Sequence, residues 1–402
     1  MADALESLRV IEYGQFISAA FCARLLADFG AEVVKVEPPQ GDKARRHGPF
    51  AGDVPHPERS GLFLFLNTSK KGITLDASSP TGRQILLRLL AEADILVSDY
   101  PPHRMEELGL IYEELREANP RLIMTTITPY GWTGPYRDYK AYDINVGAVG
   151  GVTIVAGSPD REPLNHPLSQ SHYQGGLQAA IATMLALFAR EMTGRGQHVD
   201  LSEAEAWHSF HLGSNLVSYL FSNRVRRRAG HRTEAWFYPY CILPCKDGYF
   251  CLIAMQRQEW DRFVHMMGDP EWAQDPRYQD RSAMGEEYPD EVDALILPWL
   301  LDHTKDEIFQ MCQEHKVTFG PIRTIDELVN DPHLNARGFF VEVDHKEAGR
   351  LRHPWVPYRF SATPARPPQP APLLGEHNEE VYLGRLGLSR EELARLGWAG
   401  VI

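Results

Sequence analysis

The first 130 residues alternate between short β-rich runs and stretches whose apolar positions recur at helical spacing. The run at 8–13 is followed by a helical pattern that ends at Gly30, and a second β-rich run occupies 31–36. The alternation then continues with helices at 82–93 and 104–118 and strands at 95–97 and 122–127. Strand–helix–strand units of this length are typical of parallel crossovers, so the pattern predicts an open α/β sheet.

The pattern changes in the second half of the chain, after about residue 225. Before that point, the helix predicted at 176–190 is apolar on nearly all sides, which indicates burial in an interior or in a subunit interface. Beyond it, an alternating stretch at 238–254 turns at an Asp-Gly pair, as a β-hairpin does, and helical patterns follow. These features predict a smaller α+β domain. The Pro-rich run at 364–372 is expected to extend across the surface of another unit.

Composition narrows the classes of function. The 402 residues include 41 Lys and Arg and 54 Asp and Glu, which gives a formal net charge of −13. A surface this acidic disfavours nucleic acids and anionic membranes as partners, because affinity for polyphosphates rests on clustered cations. The sequence has no apolar run near the ~20 residues of a membrane span, no basic signal region, and five cysteines too scattered for disulfides or zinc. We therefore expect a cytoplasmic protein without a metal.

The turn after the first predicted strand reads Gly14-Gln15-Phe16-Ile17, which lacks the G-x-G-x-x-G fingerprint of dinucleotide-binding proteins. The sequence also contains no Walker A lysine motif. Open α/β sheets bind ligands at the carboxyl ends of their strands. A ligand site is therefore expected at that edge, but neither a simple NAD site nor a nucleotide-hydrolase site.

Several longer strings follow one another in a fixed order: L-A-D-F-G-A-E-V-V-K-V-E at 26–37, G-D-K-A-R at 41–45, N-T-S-K-K-G-I-T-L-D at 67–76, R-E-M-T-G-R-G-Q-H-V-D at 190–200, D-P-H at 331–333 and A-P-L-L-G-E-H at 371–377. Each string alone is weak, but together and in this order they are specific. The chain resembles the class III CoA-transferase family (CaiB/BaiF-like), which includes formyl-CoA and benzylsuccinate CoA-transferases.

The resemblance implies an architecture. A large Rossmann-like α/β domain would be built from both ends of the chain, at 1–200 and 328–402. A linker helix at 201–224 would lead into the small α+β domain at 225–327. Two subunits would be threaded through each other as an interlocked, ring-like dimer.

The resemblance also implies a reaction in which CoA or an acyl-CoA is a substrate and no cofactor is permanently bound. In the family, an aspartate attacks the thioester and then carries CoA as an enzyme thioester. The matching position, ahead of the T-G-R-G-Q turn, is occupied here by His172, and no Asp or Glu lies between Glu162 and Glu191. An imidazole has no carboxyl carbon to carry CoA. The sequence therefore predicts no catalytic residue of the usual kind in this chain.

This departure points to a heteromer. Benzylsuccinate CoA-transferase of anaerobic toluene degradation pairs two related subunits, one of which lacks the aspartate, and the chain resembles that subunit. The expected partner is a homologous subunit with the aspartate, in a heterodimer or heterotetramer that moves CoA from succinyl-CoA to an aromatic dicarboxylic acid. Two alternatives stay open: a homodimeric acyl-CoA isomerase or hydrolase with His172 as base, helped by Asp143, and a CoA-binding scaffold without enzymatic activity.

Other site residues follow from matching positions in the family. Gln15 is either a contact to the thioester carbonyl or an ordinary turn residue. Asp143 is expected among the residues of the CoA-binding cleft, as a structural acceptor or, less favoured, as a surrogate nucleophile. The cations that match positions near the CoA phosphates are Arg45, Lys70, Lys71, Arg104 and Lys140. Because they follow predicted strands in an acidic protein, a local anion site is expected.

Overall fold

A computed structural model describes residues 3–211, 213–233 and 237–402 of the chain. The chain divides into two compact units. The first comprises Met1–Val152, His166–Ser214 and His333–Ile402, so both ends of the chain contribute to it, and the second comprises Thr153–Asn165 and Asn215–Pro332. The segment 153–165, which lies inside the predicted large domain, groups with the second unit.

The first unit is built around a parallel sheet of six strands among the described residues. These strands are β1 (Arg9–Glu12), β2 (Glu32–Glu37), β3 (Lys71–Thr74), β4 (Ile95–Ser98), β5 (Ile123–Thr128) and β6 (His198–Ser202). They lie in the order β3-β2-β1-β4-β5-β6, and all neighbours pair in parallel. This order confirms the predicted open α/β sheet, and its winding reverses between β1 and β4.

The α-helices of the described residues are α1 (Ser18–Ala27), α2 (Gly61–Leu66), α3 (Pro80–Ala91), α4 (Pro102–Glu107), α5 (Tyr112–Ala118), α6 (Asp143–Val149), α7 (Gln170–Thr193), α8 (Glu203–His211), α9 (Gly213–Ser222), α10 (Arg257–Met266), α11 (Arg281–Glu286), α12 (Pro289–Asp302), α13 (Lys305–His315), α14 (Ile325–Asn330), α15 (Pro332–Ala336) and α16 (Arg390–Trp398). Within these residues, no helix combines the length and the apolar character needed to cross a membrane.

The sheet is covered on both faces, which is why its strands are rich in apolar and β-branched residues. Alternate side chains of β1 belong to different hydrophobic clusters. Ile11 packs in the cluster that contains Leu86 of α3, whereas Val10 packs in the cluster that contains Leu26 of α1 and Ala179 of α7. The parallel sheet is therefore buried between helical layers, and a ligand can reach it at the loops along its carboxyl edge.

The helix predicted at 104–118 is wrong in one respect, because the structure has two helices there, α4 and α5. Gly109 separates them with a φ of 59°, a left-handed conformation that ends a helix. The α4 helix begins at Pro102, directly after β4 and its loop. This break leaves the short α4 beside the carboxyl end of β4.

The second unit contains the antiparallel strands β7 (Tyr240–Cys245), β8 (Gly248–Ile253) and β9 (Gly320–Pro321). The β7–β8 hairpin turns at Lys246 and Asp247, where the sequence predicts it. Aromatic and aliphatic side chains of this sheet and of α10, α12 and α13 form a separate core. The remaining hairpin pairs β10 (Phe340–His345) with β11 (Gly349–Pro354) and belongs to the first unit.

Candidate active site

A cavity of about 380 Å³ lies at the carboxyl-terminal edge of the parallel sheet, within the first unit. Gln15 follows β1, Asp99 and Tyr100 follow β4, Pro129 follows β5, and Glu203 follows β6. The strands β1 and β4 flank the point where the winding reverses, which is where open α/β sheets bind ligands. We therefore identify this space, called the reaction cavity below, as the candidate active site.

His172 lies in the first turn of α7 and lines the reaction cavity. Its Nδ1 is 3.0 and 3.1 Å from the two carboxylate oxygens of Glu203, and Ser18 donates its hydroxyl to the same carboxylate. Burial lowers the pKa of His172, but the charge and hydrogen bond of Glu203, with the charges of Asp143 and Asp99, raise that pKa overall above its usual 6.5. The imidazole is thus held through Nδ1, and Nε2 is the ring nitrogen left to meet a ligand.

Glu203 reaches His172 because α7 has a glycine opposite it. The Glu203 residue is 2% exposed, and a Cβ built on Gly175 would lie 2.8 Å from its Cγ. Any larger residue at 175 would displace the Glu203 side chain. The sequence analysis missed Glu203, which is 31 residues from His172 along the chain. The signal that could have found it is its place directly after a strand, at the same edge as Gln15.

The turn between β1 and α1 is fastened by two carboxylates. The backbone N–H of Gln15 donates to Asp99 at 2.8 Å, and that of Phe16 donates to Asp42 at 2.9 Å. Asp42 is fully buried and lies 2.7 Å from the Nζ of Lys35. Phe16 has a φ of 71°, which is a strained conformation for a bulky residue. These bonds hold the strained turn in place at the wall of the reaction cavity.

Asp99 also accepts a hydrogen bond from the N–H of Ala19, in the first turn of α1. Burial raises the pKa of Asp99 to about 7, although its two backbone hydrogen bonds oppose the shift. Its role is therefore to position the turn and the start of α1. The sequence analysis did not select Asp99, and its place directly after β4 is the signal that identifies it.

The side chain of Gln15 contacts the reaction cavity, as the resemblance implies. Its Nε2 donates to the Tyr100 hydroxyl at 2.7 Å, and its buried Oε1 has no partner among the described residues. The contact to the thioester carbonyl stays a prediction.

Asp143 begins α6, and its Oδ1 accepts a hydrogen bond from the N–H of Ser171 at 2.8 Å. Ser171 precedes His172 in the first turn of α7, so Asp143 fixes the start of that helix. The neighbouring Tyr142 lines the reaction cavity and is mostly exposed. The structure thus gives Asp143 a structural contact, which favours the acceptor role over a surrogate nucleophile.

Two of the predicted phosphate contacts are internal counter-ions. Arg45 is buried and donates to Glu37 at 2.7 and 2.8 Å and to Glu58 at 2.5 Å. Lys70 is buried, and its Nζ lies 2.7 Å from a carboxylate oxygen of Glu12. Their charges are neutralised within the protein, which argues against the predicted contact between these two residues and the CoA phosphates.

The other three predicted cations are nearer to solvent. Lys71 pairs with two partly exposed glutamates at 2.7 and 2.8 Å, and Arg104 on α4 pairs with Glu107 at 3.1 Å. Lys140 is exposed and lies next to Ala141 and Tyr142, which line the reaction cavity. Lys71 is therefore held between side chains of its own unit. The assignment of Arg104 and Lys140 to the phosphates stays a prediction.

Comparisons with known proteins identify the family of this chain. The model of "CoA-transferase family III" matches residues 5–378. The chain is 36% identical to the succinyl-CoA–D-citramalate CoA-transferase of Chloroflexus aurantiacus, covering 98% of this chain and 96% of that one. It is 34% identical to the beta subunit of the succinyl-CoA–L-malate CoA-transferase of the same species, covering 97% and 96%.

Among solved structures, a CaiB/BaiF family protein from Brucella suis is similar. It superposes with a TM-score of 0.85 at 29% identity, covering 96% of this chain and 100% of that one. The match extends over both units of the fold and over the strands that carry the reaction cavity. The chain belongs to the class III CoA-transferase family.

Proposed function

We propose that this chain is the subunit without a nucleophile in a heteromeric CoA-transferase. Its homologous partner carries the catalytic aspartate, and the complex moves CoA from succinyl-CoA to an aromatic dicarboxylic acid such as (R)-benzylsuccinate. The observation that carries the proposal is the imidazole of His172 at the family's nucleophile position, held by Glu203 at 3.0 Å. An imidazole cannot form the acyl thioester on which the exchange depends.

The carboxylates around the reaction cavity are already engaged. Glu203 bonds His172 and Ser18, Asp99 accepts two backbone N–H groups, and Asp143 holds the start of α7. A nucleophilic carboxylate needs a free oxygen lone pair directed at the thioester carbon, and each of these groups has a structural task instead. The partner's aspartate is therefore the group that would react.

In the proposed reaction, the partner's aspartate attacks the thioester of succinyl-CoA, the C–S bond breaks, and CoA leaves as thiolate. The thiolate attacks the aspartyl carbon of the mixed anhydride, releases succinate, and becomes an aspartyl thioester. The acceptor carboxylate then attacks that thioester, and the thiolate returns to the acceptor's acyl group as the aspartate is restored. The energy of the thioester is kept at every step.

An apolar stripe on α7 supports assembly with another chain. Ile181, Leu185, Phe188 and Met192 are spaced by four, three and four residues, and all are 48–76% exposed. Exposed apolar residues in such a row are typical of a protein interface. The sequence predicts this helix to be buried in an interior or an interface, and the structure leaves this stripe uncovered. We propose that the partner subunit covers it.

Co-expression tests the proposal. The chain purified alone should show no CoA transfer from succinyl-CoA to benzylsuccinate, measured by chromatography of the CoA esters. Co-expressed with a homologous subunit that carries the aspartate, it should form one stable complex with that activity. Replacing the partner's aspartate should abolish the activity, and transfer by this chain alone would reject the proposal.

One observation favours a second candidate. The Nδ1 contact from His172 to Glu203 orients the ring as catalytic carboxylates orient histidine bases, with Nε2 toward the cavity. The chain would then act alone as an acyl-CoA isomerase or hydrolase. Proton exchange at the α-carbon of an acyl-CoA, or its hydrolysis, would have to depend on His172. Unchanged rates in His172→Ala would eliminate this candidate.

A further inference from the structure

A second cavity of about 650 Å³ adjoins the reaction cavity in the first unit. The two cavities share three lining residues, Phe16, Ile17 and His47. Its volume lies within the ordinary range for small-molecule sites. Because it begins at the wall of the reaction cavity, a ligand bound in it can present one end to the reacting groups. We call it the side cavity.

The lining of the side cavity is mainly apolar and aromatic. Phe65, Tyr173 and Leu62 form walls with Phe16. His353 is also in the lining, and burial lowers its pKa to about 4, so this imidazole is neutral at pH 7. Beside these apolar and aromatic walls an aromatic ring is favoured, whereas a charged group would lose its hydration there.

Polar side chains able to bind carboxylates line both cavities. On the reaction-cavity side, Lys43 lines the reaction cavity and His47 lines both cavities. Arg352, which lines the side cavity alone, lies over the Phe340 ring, 4.7 Å from its centroid. Carboxylates placed near Lys43 and His47 would be adjacent to His172, where the reaction is expected. The aromatic part of the same molecule would extend away from the reaction.

Phe16 lines both cavities and contacts the imidazoles beside them. Its centroid is 5.0 Å from that of His47 and 6.2 Å from that of His172, which it meets edge-on. The backbone of Phe16 is held at a φ of 71° by the hydrogen bond from its N–H to Asp42. The position of the Cα from which the ring extends is therefore fixed. A side chain placed at such a strained position is typical of functional sites.

We propose that the side cavity binds the aryl group of the carboxylic acid substrate, and that Phe16 is the residue that makes the site select an aryl-bearing acid. The aryl ring packs between Phe16, Phe65 and Tyr173, while the carboxylates lie toward His47 and Lys43. This inference rests on the proposed function for the chemistry of the acid. It adds the place where that acid binds and the side chain that selects it.

Calorimetric titration of the full chain with benzylsuccinate and with succinate, its counterpart without the ring, tests the proposal. The wild-type chain should bind benzylsuccinate at least about tenfold more tightly, because burying one aromatic ring gives roughly that factor. Phe16→Ala should reduce the ratio about fivefold or more, because the larger loss falls on the acid that carries the ring. Equal affinities in the wild type, or binding of neither acid, would overturn the proposal.

Two further variants control for a Phe16→Ala chain that does not fold and for effects unrelated to the side cavity. Leu168 lines the side cavity and is 77% exposed, so Leu168→Trp should fold and narrow the cavity, reducing the benzylsuccinate affinity selectively. Phe309 on α13 of the second unit is a partly exposed control, and Phe309→Ala should keep the wild-type ratio. A ratio unchanged in both Phe16→Ala and Leu168→Trp would refute the assignment.

The two proposals can fail separately. Suppose that the chain prefers benzylsuccinate and loses this preference in Phe16→Ala, but that the complex with its partner transfers no CoA. The aryl site in the side cavity is then supported, and the proposed function is rejected. If the complex is active and its chain lacks the aryl preference, the side cavity is the part that fails.

Discussion

His172 and Glu203 form a charged hydrogen bond whose strength depends on pH. Burial lowers the pKa of His172, and Glu203, by its charge and its hydrogen bond, raises it above the usual 6.5. A group whose pKa is raised on folding stabilises the fold fully below its unfolded pKa. That stabilisation disappears as the pH rises through the folded pKa.

Thermal unfolding of the wild type and His172→Gln should show this dependence. Glutamine can still donate to Glu203 but carries no charge. The wild type should be more stable by about 1.5–3 kcal/mol near pH 6, as for other hydrogen bonds between charged groups, and the difference should shrink toward pH 9. A difference that grows with pH would contradict the ion pair.

Restoring a carboxylate at position 172 should restore the covalent step. His172→Asp, incubated with succinyl-CoA, should gain an acyl or CoA adduct that mass spectrometry detects and hydroxylamine removes. The nearby charge of Glu203 raises the pKa of the introduced carboxyl group, so the adduct should form faster as the pH rises. His172→Asn is the matched control and should form none. A folded His172→Asp that binds succinyl-CoA without an adduct would show that the rest of the site is lost.

Some of these residues could be predicted from the sequence and others could not. His172 stands at a fixed distance from a recognisable string, so its position needs no three-dimensional information. Glu203 and Asp99 could not be selected in this way, because only the sheet order brings the ends of β6 and β4 beside β1. Arg45 and Lys70 look like surface cations in the sequence, since their carboxylate partners are not apparent without the fold.

At the scale of elements, the adjacent lysines at the start of β3 have opposite environments. Lys70 is buried against Glu12, the Ala20 carbonyl and the Asn67 amide oxygen, whereas the Lys71 side chain is 33% exposed. Removing Lys70 would leave the buried Glu12 with one cation, Lys35 at 2.7 Å, in place of two, and would remove the bonds to the Ala20 and Asn67 oxygens, whereas a surface pair contributes little.

Urea unfolding should therefore separate the two lysines. Lys70→Ala should lower the free energy of unfolding by about 3 kcal/mol, and Lys71→Ala by less than about 1 kcal/mol. Calorimetric titration with CoA provides the second measurement. A Lys70→Ala variant of normal stability but weakened CoA affinity would return Lys70 to the role of phosphate contact that the sequence predicts.

The apolar stripe on α7 provides the next prediction. Phe188→Glu places a charge among Ile181, Leu185 and Met192 and should prevent assembly with the partner, because the charge would lose its hydration in the interface. Light scattering after size exclusion should give the mass of the single chain. Its unfolding free energy should change by less than about 0.5 kcal/mol, because the site is exposed.

Phe309→Glu, on a different helix, is the matched control and should assemble normally. A Phe188→Glu chain that still forms the complex would place the partner on another surface.

The helices and strands could largely be predicted from the sequence where the apolar pattern and the turn or helix-ending residues indicate the same boundaries. The β1–α1–β2 unit follows from apolar periodicity and from Gly30, and the β7–β8 hairpin follows from its Asp-Gly turn. The division between α4 and α5 did not follow, because Gly109 lies within an otherwise continuous helical pattern and glycine is tolerated inside helices. The α7 helix has 24 residues and is longer than the helix predicted at 176–190. Its first turn is polar, so the apolar pattern does not reveal where the helix begins.

At the scale of the whole molecule, the family can be predicted from the sequence resemblance, whereas the location of the site follows from the fold. The strand order β3-β2-β1-β4-β5-β6 is that of dinucleotide-binding sheets, although the glycine fingerprint is missing. Fold alone therefore does not define the ligand, and the function has to be argued from the groups at the sheet edge. The acid that is accepted and the partner subunit lie beyond what one sequence specifies, because both depend on surfaces that evolve separately from the core.

The two carboxylates that fasten the turn after β1 have a consequence for how CoA approaches. In dinucleotide-binding proteins the N–H groups of this turn grip a diphosphate, whereas here Asp99 and Asp42 already occupy those of Gln15 and Phe16. These two N–H groups are therefore not available to a diphosphate, and we expect the adenine nucleotide of CoA to bind outside this turn, with only the pantetheine arm near it. Succinyl-pantetheine, which has no nucleotide, should accordingly reach His172 unaided, and any preference for the complete coenzyme would originate at the entrance.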